Sequence, residues 1–289
     1  MKQSTEDWLN WLRVDKSAAT VAGYAWEVGA LARAAPEKGP LDFGAADLAR
    51  YLAARRARGA SDATIKRAVA AFRSFFRHVC GNASPAQAIP FPRVKRRRQR
   101  TLTDDQMLAV LAACDTSAAR GTRDLALMCL MVDSGVRAAE VCRLRLADVD
   151  LQEQRFVVVV KGGDEREGGF TAATGSYLAA WLDQRGRFLK PSTATLFCSL
   201  SGKTKGASLT TDGLRAIFRV IGRRAGLARF SPHDLRRTFA TMALRSGAPT
   251  RIVQVAGRWE DVRMVERYSQ EINQSDLNRY RPIERLLGR

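Results

Sequence analysis

Arg137, Lys161, His233, Arg236, Trp259 and Tyr268 have the side-chain types that a reaction at a phosphodiester would require in the absence of a metal ion. Such a reaction needs cations against the non-bridging oxygens, a nucleophile, and a proton donor for the leaving oxygen. The run Ser134-Gly-Val-Arg137-Ala-Ala-Glu140-Val places Arg137 at the start of a helix. Glu140, three residues on, shares its helical face and can orient the guanidinium. His233-Asp-Leu-Arg236 repeats that spacing, so an imidazole and a guanidinium share another helical face. Lys161 stands at the end of the apolar run Phe156-Val-Val-Val-Val, and Tyr268 closes Glu266-Arg-Tyr after a segment opened by Gly257-Arg-Trp259.

Taken singly, each feature has an ordinary explanation. An R-x-x-E pair is usually a surface ion pair of little energetic weight. A strand-end lysine serves solubility, and a tryptophan near a turn is normally core with its indole N–H satisfied. The weight lies in their order and spacing: 24 residues from Arg137 to Lys161, 26 from His233 to Trp259, and 9 from Trp259 to Tyr268.

That order resembles the tyrosine recombinase and phage integrase family, with the size and architecture of its Xer-type members. The resemblance rests on L-T-x-x-Q, S-G-V-R-x-x-E-V-x-x-L-R, V-K-G, S-P-H-D-L-R-R-T-F-A-T and G-R-W-…-R-Y, in that sequence across 101–270. It implies that Arg137 and Arg236 clamp the scissile phosphate and that Tyr268 attacks phosphorus to form a 3′-phosphotyrosyl bond. It further implies that Lys161 is the general acid, that His233 is a base-like or hydrogen-bonding partner, and that Glu140 is supporting. Trp259 occupies a position that is His in many members; its indole N–H can donate to a phosphate oxygen. The chain departs from Xer-type members in having Gly257-Arg-Trp where they carry L-G-H, which points to a mobile-element or plasmid-type member. It also has Gly163-Asp164 where they carry another basic residue.

The implied activity is site-specific recombination that needs neither a metal ion nor ATP, since the covalent intermediate conserves the energy of the broken bond. No cofactor is expected. The implied partners are double-stranded DNA at a specific inverted-repeat site, further copies of the chain in a tetramer on that DNA, and possible accessory proteins. Three rival readings are a type IB topoisomerase-like enzyme, a catalytically idle DNA-binding accessory protein, and a membrane-surface or RNA-binding protein, which would explain the charge but none of the spacings. The first would act without site preference, and the second has no need of Arg137, His233, Arg236 and Tyr268 together.

Charge supports a polyanionic partner. Lys and Arg number 48 against 29 Asp and Glu, a formal net charge of +19 that a compact fold does not require. The longest apolar runs, such as 125–132, are too short to cross a bilayer, and the first residues lack an apolar signal core, so a cytoplasmic, nucleoid-associated protein without membrane contact is expected. The five cysteines form no C-x-x-C pair, and only two histidines occur, which argues against a disulfide framework or a metal site.

The elements that position these residues read as mainly α with a small β-sheet, in two domains. An all-α N-terminal core-binding domain is expected over 1–90, with helices near 4–13, 18–35, 45–58 and 61–79, the last capped by Ser61. Three prolines between Pro85 and Pro92 then preclude a continuous helix. A basic linker at 91–100 follows, in which Arg93, Lys95, Arg96, Arg97, Arg98 and Arg100 are candidate phosphate contacts. From 101 an α+β catalytic domain is expected. It opens with a helix capped by Thr103 and Gln106, continues through helices at 121–134 and from Ala138, and carries a hairpin at 156–171. Helices follow near 174–186, 210–225, 233–246, 248–256 and 261–268. Beyond Tyr268, the apolar residues Ile272, Leu277, Ile283, Leu286 and Leu287 suggest an anchor exchanged between protomers.

Overall fold

A computed structural model describes residues 2–94, 100–160 and 163–269 of the 289-residue chain. The chain divides into two compact units, residues 1–98 and 99–289. It is mainly helical, with one three-stranded antiparallel sheet.

The first unit contains α1 (Lys2–Leu12), α2 (Ala18–Ala34), α3 (Ala45–Ala57) and α4 (Asp62–Cys80). The Ser61 hydroxyl accepts from the Thr64 N–H and starts α4, whose Ile65, Ala68, Val69, Phe72, Phe75 and Phe76 fall on one buried stripe. Trp8 of α1 lies against the edge of Phe75 and donates its indole N–H to Ser74 Oγ at 3.1 Å. One carboxylate, Glu27 of α2, is fully buried. It is paired with Arg55 of α3 and, at 3.0 Å, with Arg67 of α4, so three helices meet on one charge. Removing Glu27 would leave the largely buried Arg55 without its carboxylate, while Arg67 keeps access to water. The proline-rich stretch after α4 forms two short 3-10 turns at 81–83 and 85–88.

The second unit opens at α5 (Asp104–Ala112), with Thr103 Oγ1 accepting from the Gln106 N–H and Gln106 Oε1 accepting from the Thr103 N–H. Next come α6 (Ala119–Ser134) and the short α7 (Ala138–Arg143). Strands β1 (Val149–Asp150), β2 (Arg155–Val159) and β3 (Glu165–Gly169) form the sheet in that order. Strand β1 is too short for periodicity to announce it. The returning strand ends at Gly169 rather than Thr171, because Thr171 caps α8 (Ala172–Arg185) and donates through its N–H and hydroxyl to Asp133. Helices α9 (Thr211–Arg224), α10 (Pro232–Arg245), α11 (Thr250–Ala256) and α12 (Arg263–Ser269) complete the described chain. Here α11 starts at Thr250, since Pro249 lies just outside it.

The main core of this unit gathers around α6, with Leu127, Leu130 and Met131 against Trp181 of α8 and Phe156 of β2. A second, smaller cluster joins α10, α11 and α12 through Ala240, Leu244, Val253, Trp259, Val265 and Tyr268. Tyr268 is therefore held by apolar packing, and its place depends on how these three helices pack. Cys114, Cys129, Cys142 and Cys198 are buried and free, and burial pushes the thiols of Cys114 and Cys129 up to about 12. Those cysteines are packing residues, not nucleophiles. Among the described residues, no helix is long and apolar enough to cross a membrane.

Candidate active site

Helix α6 must end before α7 can present Arg137, and Gly135 performs that reversal. Its φ of 62° is left-handed, and a Cβ there would lie 2.5 Å from the Phe239 ring, so both backbone and space require glycine. Two residues later Arg137 caps α7. Its N–H donates to Glu140 Oε2 at 2.9 Å, and its Nη1 donates to Glu140 Oε1 at 2.7 Å. Glu140 is buried while the Arg137 side chain stays 37% exposed, so the carboxylate fixes a guanidinium that still faces outward. A surface R-x-x-E pair would leave both partners in water; this one does not.

Ser231 caps the start of α10, its N–H and hydroxyl both donating to Asp234. Its first turns carry His233 and Arg236. The Thr238 hydroxyl accepts from the Leu102 N–H, tying the unit's first residues to the same helix. Arg236 is buried: Nη1 donates to the Gly135 carbonyl, the guanidinium carbon lies 4.1 Å from the centroid of the Trp259 ring, and Nη2 has no hydrogen-bond partner among the described residues. Burial first, then the Arg137 guanidinium, pushes Arg236 down to about 9, so it remains charged at neutral pH. The protein packed against His233, together with Arg237 and Arg236, holds its imidazole below the usual range, against the opposing effect of Asp234.

These groups converge on a cleft of about 360 Å³ lined by Arg137, His233, Arg236, Trp259, Arg267 and Tyr268, together with Ala138, Ala139, Pro232 and Met264. Three arginines face it, and among the described lining residues none is acidic. A cleft with that lining focuses positive potential and suits a tetrahedral anion. Trp259 is itself buried, with Phe239 stacked at 6.3 Å and Tyr268 tilted at 5.8 Å. One face of its indole therefore carries the Arg236 guanidinium, a role the sequence did not suggest.

Of the other candidates, Lys161 lies outside the described residues. On either side of it, the Val160 N–H donates to the Asp164 carbonyl at 2.8 Å. Lys95, Arg96, Arg97 and Arg98 of the linker also lie outside, as do Ile272, Leu277, Ile283, Leu286 and Leu287 of the tail. Arg93 is exposed, and Arg100 donates to the carbonyl of Arg229. Sequence reasoning passed over Arg258 and Arg267. Arg267 adjoins the tyrosine and was visible only as part of R-Y. The signal for Arg258 was there in its place between Gly257 and Trp259, where a turn was to be expected.

The fold and this cleft define a class. Residues 100–274 match the Phage integrase family, and residues 5–80 match the Phage integrase, N-terminal SAM-like domain. The chain belongs to this family of tyrosine recombinases and is a site-specific DNA recombinase. It is 32% identical over 262 residues to tyrosine recombinase XerC of Corynebacterium efficiens, covering 88% of this chain and 82% of that protein. With tyrosine recombinase XerD of Ralstonia nicotianae it shares 33% over 231 residues, 77% of this chain and 73% of that one. In fold it is similar to XerH site-specific recombinase bound to palindromic difH substrate in a post-cleavage complex. There the TM-score is 0.73 at 22% identity, covering 91% of this chain and 80% of that one. It is equally similar to a lambda integrase(75–356) dimer bound to a COC′ core site, with a TM-score of 0.72 at 18% identity, covering 95% and 96%.

Proposed function

We propose that Tyr268 is the nucleophile of strand cleavage and that Arg137 and Arg236 hold the scissile phosphate while it reacts. One observation carries this reading: residues far apart in sequence meet at a cleft that holds three guanidiniums, an imidazole and a phenol, with no acid among its described lining residues. The Tyr268 hydroxyl attacks phosphorus, the bond to the 5′ oxygen breaks, and a 3′-phosphotyrosyl ester forms. Negative charge accumulates on the non-bridging oxygens, where Arg137 and Arg236 oppose it. Lys161 supplies the proton to the departing 5′ oxygen, and His233, uncharged at neutral pH, accepts or shares the phenolic proton. Trp259 supports Arg236 from below and closes the cleft. Attack of a 5′ hydroxyl from another strand on the phosphotyrosine reverses the sequence and rejoins DNA, so the bond energy is never lost to water.

The wider reading extends this proposal beyond the cleft. The N-terminal unit is the core-binding domain. The substrate is duplex DNA at an inverted-repeat site, four copies of the chain act together on it, and accessory proteins and association with the nucleoid belong to the same picture. The deciding experiment offers the purified protein a nicked suicide duplex carrying its site, in chelator and without nucleotide. A covalent protein–DNA adduct is expected, because cationic side chains occupy the role a metal would take. A strict magnesium requirement for cleavage would overturn the mechanism.

The linker gives a separate prediction. Six of the eight residues from Arg93 to Arg100 are basic. If they lie along phosphates, each lost contact lowers the salt slope of log K by roughly 0.9 on B-DNA. Replacing Arg96, Arg97 and Arg98 with Ala should flatten the slope by up to about three times that amount, on specific and non-specific DNA alike. Cleavage at saturating protein should survive. Titrations at several salt concentrations that returned equal slopes for the variant and the parent chain would show a solvated linker instead.

A further inference from the structure

Arg258 stands out because nothing in the proposed chemistry uses it, yet the structure invests heavily in it. Its backbone is left-handed at a φ of 56°, a conformation that non-glycine residues seldom keep unless the surroundings enforce it. Its side chain is buried. Nη1 donates to the Ala256 carbonyl at 3.0 Å, Nη2 donates to the Ser134 carbonyl at 3.3 Å, and Nε lies 3.8 Å from Glu140 Oε2. The guanidinium also sits over the Phe156 ring, 5.4 Å from its centroid. Gly168 of β3 leaves the space, since a Cβ there would lie 2.5 Å from Arg258 Nη1 and 2.4 Å from Phe156. The left-handed turn directs the Arg258 carbonyl toward the cleft, where it accepts from Arg137 Nη2 at 3.0 Å.

Resting on the site reading above, we infer that Arg258 is a positioning residue for strand cleavage, fixing Arg137 through its carbonyl and through Glu140 and fixing the turn that carries Trp259. Three connections lead to this. Arg137 has two anchors besides its backbone, Glu140 and the Arg258 carbonyl, and Arg258 supplies one while touching the other. Ser134, which accepts from Arg258, directly precedes Gly135, whose carbonyl accepts from Arg236, so both proposed phosphate-binding arginines are referenced to the same end of α6. Trp259, the residue next to Arg258 in sequence, carries Arg236 on its ring. The Arg258 residue, through its carbonyl, its side chain and the turn it shares with Trp259, thus ties both cations to one frame, and a clamp acts only when both reach the phosphate at once. Arg258 also leaves Glu140 facing two guanidiniums, so the carboxylate does not cancel the charge of Arg137 toward the cleft.

Arg258→Gly is the informative variant, because glycine accepts the left-handed turn and only the guanidinium is lost. DNA affinity should stay within a few-fold of the parent chain. Single-turnover cleavage of the suicide duplex should fall by up to about a hundredfold, the scale of a roughly 1 Å misplacement at a reacting centre. A neutral methylphosphonate at the scissile position should shrink that deficit, since it removes the charge that a well-placed Arg137 opposes; a general loss of fold would weaken both substrates alike. Should the glycine variant not fold, Arg258→Lys, which keeps the charge and loses the fork, must show the same dependence on substrate. Cleavage at the parental rate, or an equal loss on both substrates, overturns the inference. An adduct that persisted in a Tyr268→Phe control would instead bring down the site reading on which it rests.

Discussion

Tyr268→Phe should leave duplex binding within a few-fold and reduce covalent attachment to DNA by roughly 10⁶-fold, the scale of deleting a catalytic nucleophile. The substitution is close to a pure chemical deletion here. Tyr268 is buried in the cluster joining α10, α11 and α12, its ring tilted against Trp259 at 5.8 Å, and phenylalanine retains that ring and that contact. The cluster therefore keeps its packing and the cleft keeps its three arginines. What disappears is the oxygen proposed to form the phosphotyrosyl bond. Thermal unfolding of the variant should match the parent chain, and titration should show the same DNA complex, while the suicide duplex yields no adduct on a denaturing gel. An adduct of normal yield would move the nucleophile elsewhere and defeat the proposal, whatever the fold.

The helices were legible because their ends are written locally. Ser61 before Asp62, Thr103 with Gln106, and Gly135 after Ser134 each satisfy or terminate a helix using residues within one turn, and no distant contact is needed to decide them. The stripe of α4 likewise follows from periodicity alone. Strand β1 was not legible: two residues carry no period, and they pair only because β2 lies beside them. The end of β3 was misjudged because Asp133, in another element, recruits Thr171 as a cap. Nor did the sequence hint that Glu27 holds three helices together, since an isolated acid in an apolar helix looks like a solvated position until its partners arrive from Arg55 and Arg67.

In the cleft the division falls the same way. Residue types and order pointed to Arg137, His233, Arg236, Trp259 and Tyr268, and the structure brings all five to one lining. How they support one another did not follow from order. The stacking of Arg236 on Trp259 joins α10 to the turn after α11, and the Arg258 carbonyl reaches Arg137 from 121 residues away. Arg258 reads in sequence as a departure from a family pattern, whereas in the fold it is a buried cation that completes the surroundings of Glu140. Its position is one where glycine would be at ease, so the departure is a substitution that accepts backbone strain and adds four side-chain contacts.

The second large effect separates catalysis from stability at Arg236. This side chain forms no ion pair among the described residues and its Nη2 has no hydrogen-bond partner there; burial first, then Arg137 and Arg258, disfavour its charge, against the opposing effect of Glu140 and Tyr268. A buried donor left unpaired costs about 1–3 kcal/mol. Because Arg236 is depressed only to about 9, the guanidinium is charged in folded and unfolded chains at neutral pH, and the cost is present in full there; it eases only as pH rises above that value. Replacing it with methionine removes a buried charge that has no ion pair among the described residues, keeps an unbranched side chain of similar length, and retains sulfur–aromatic contact with Trp259. Arg236→Met should accordingly unfold at the same temperature as the parent chain or a few degrees higher, while cleavage of the suicide duplex drops by about 10²–10³-fold. Arg236→Lys should also fail to cleave well, since an ammonium cannot reach the Gly135 carbonyl and the phosphate with one planar fork. A fall of many degrees in the unfolding temperature of Arg236→Met would mean that Arg236 serves the core and not the phosphate. A raised or unchanged temperature with lost cleavage would identify it as a charge kept at the expense of stability, with DNA phosphate as the partner that the folded chain alone does not provide.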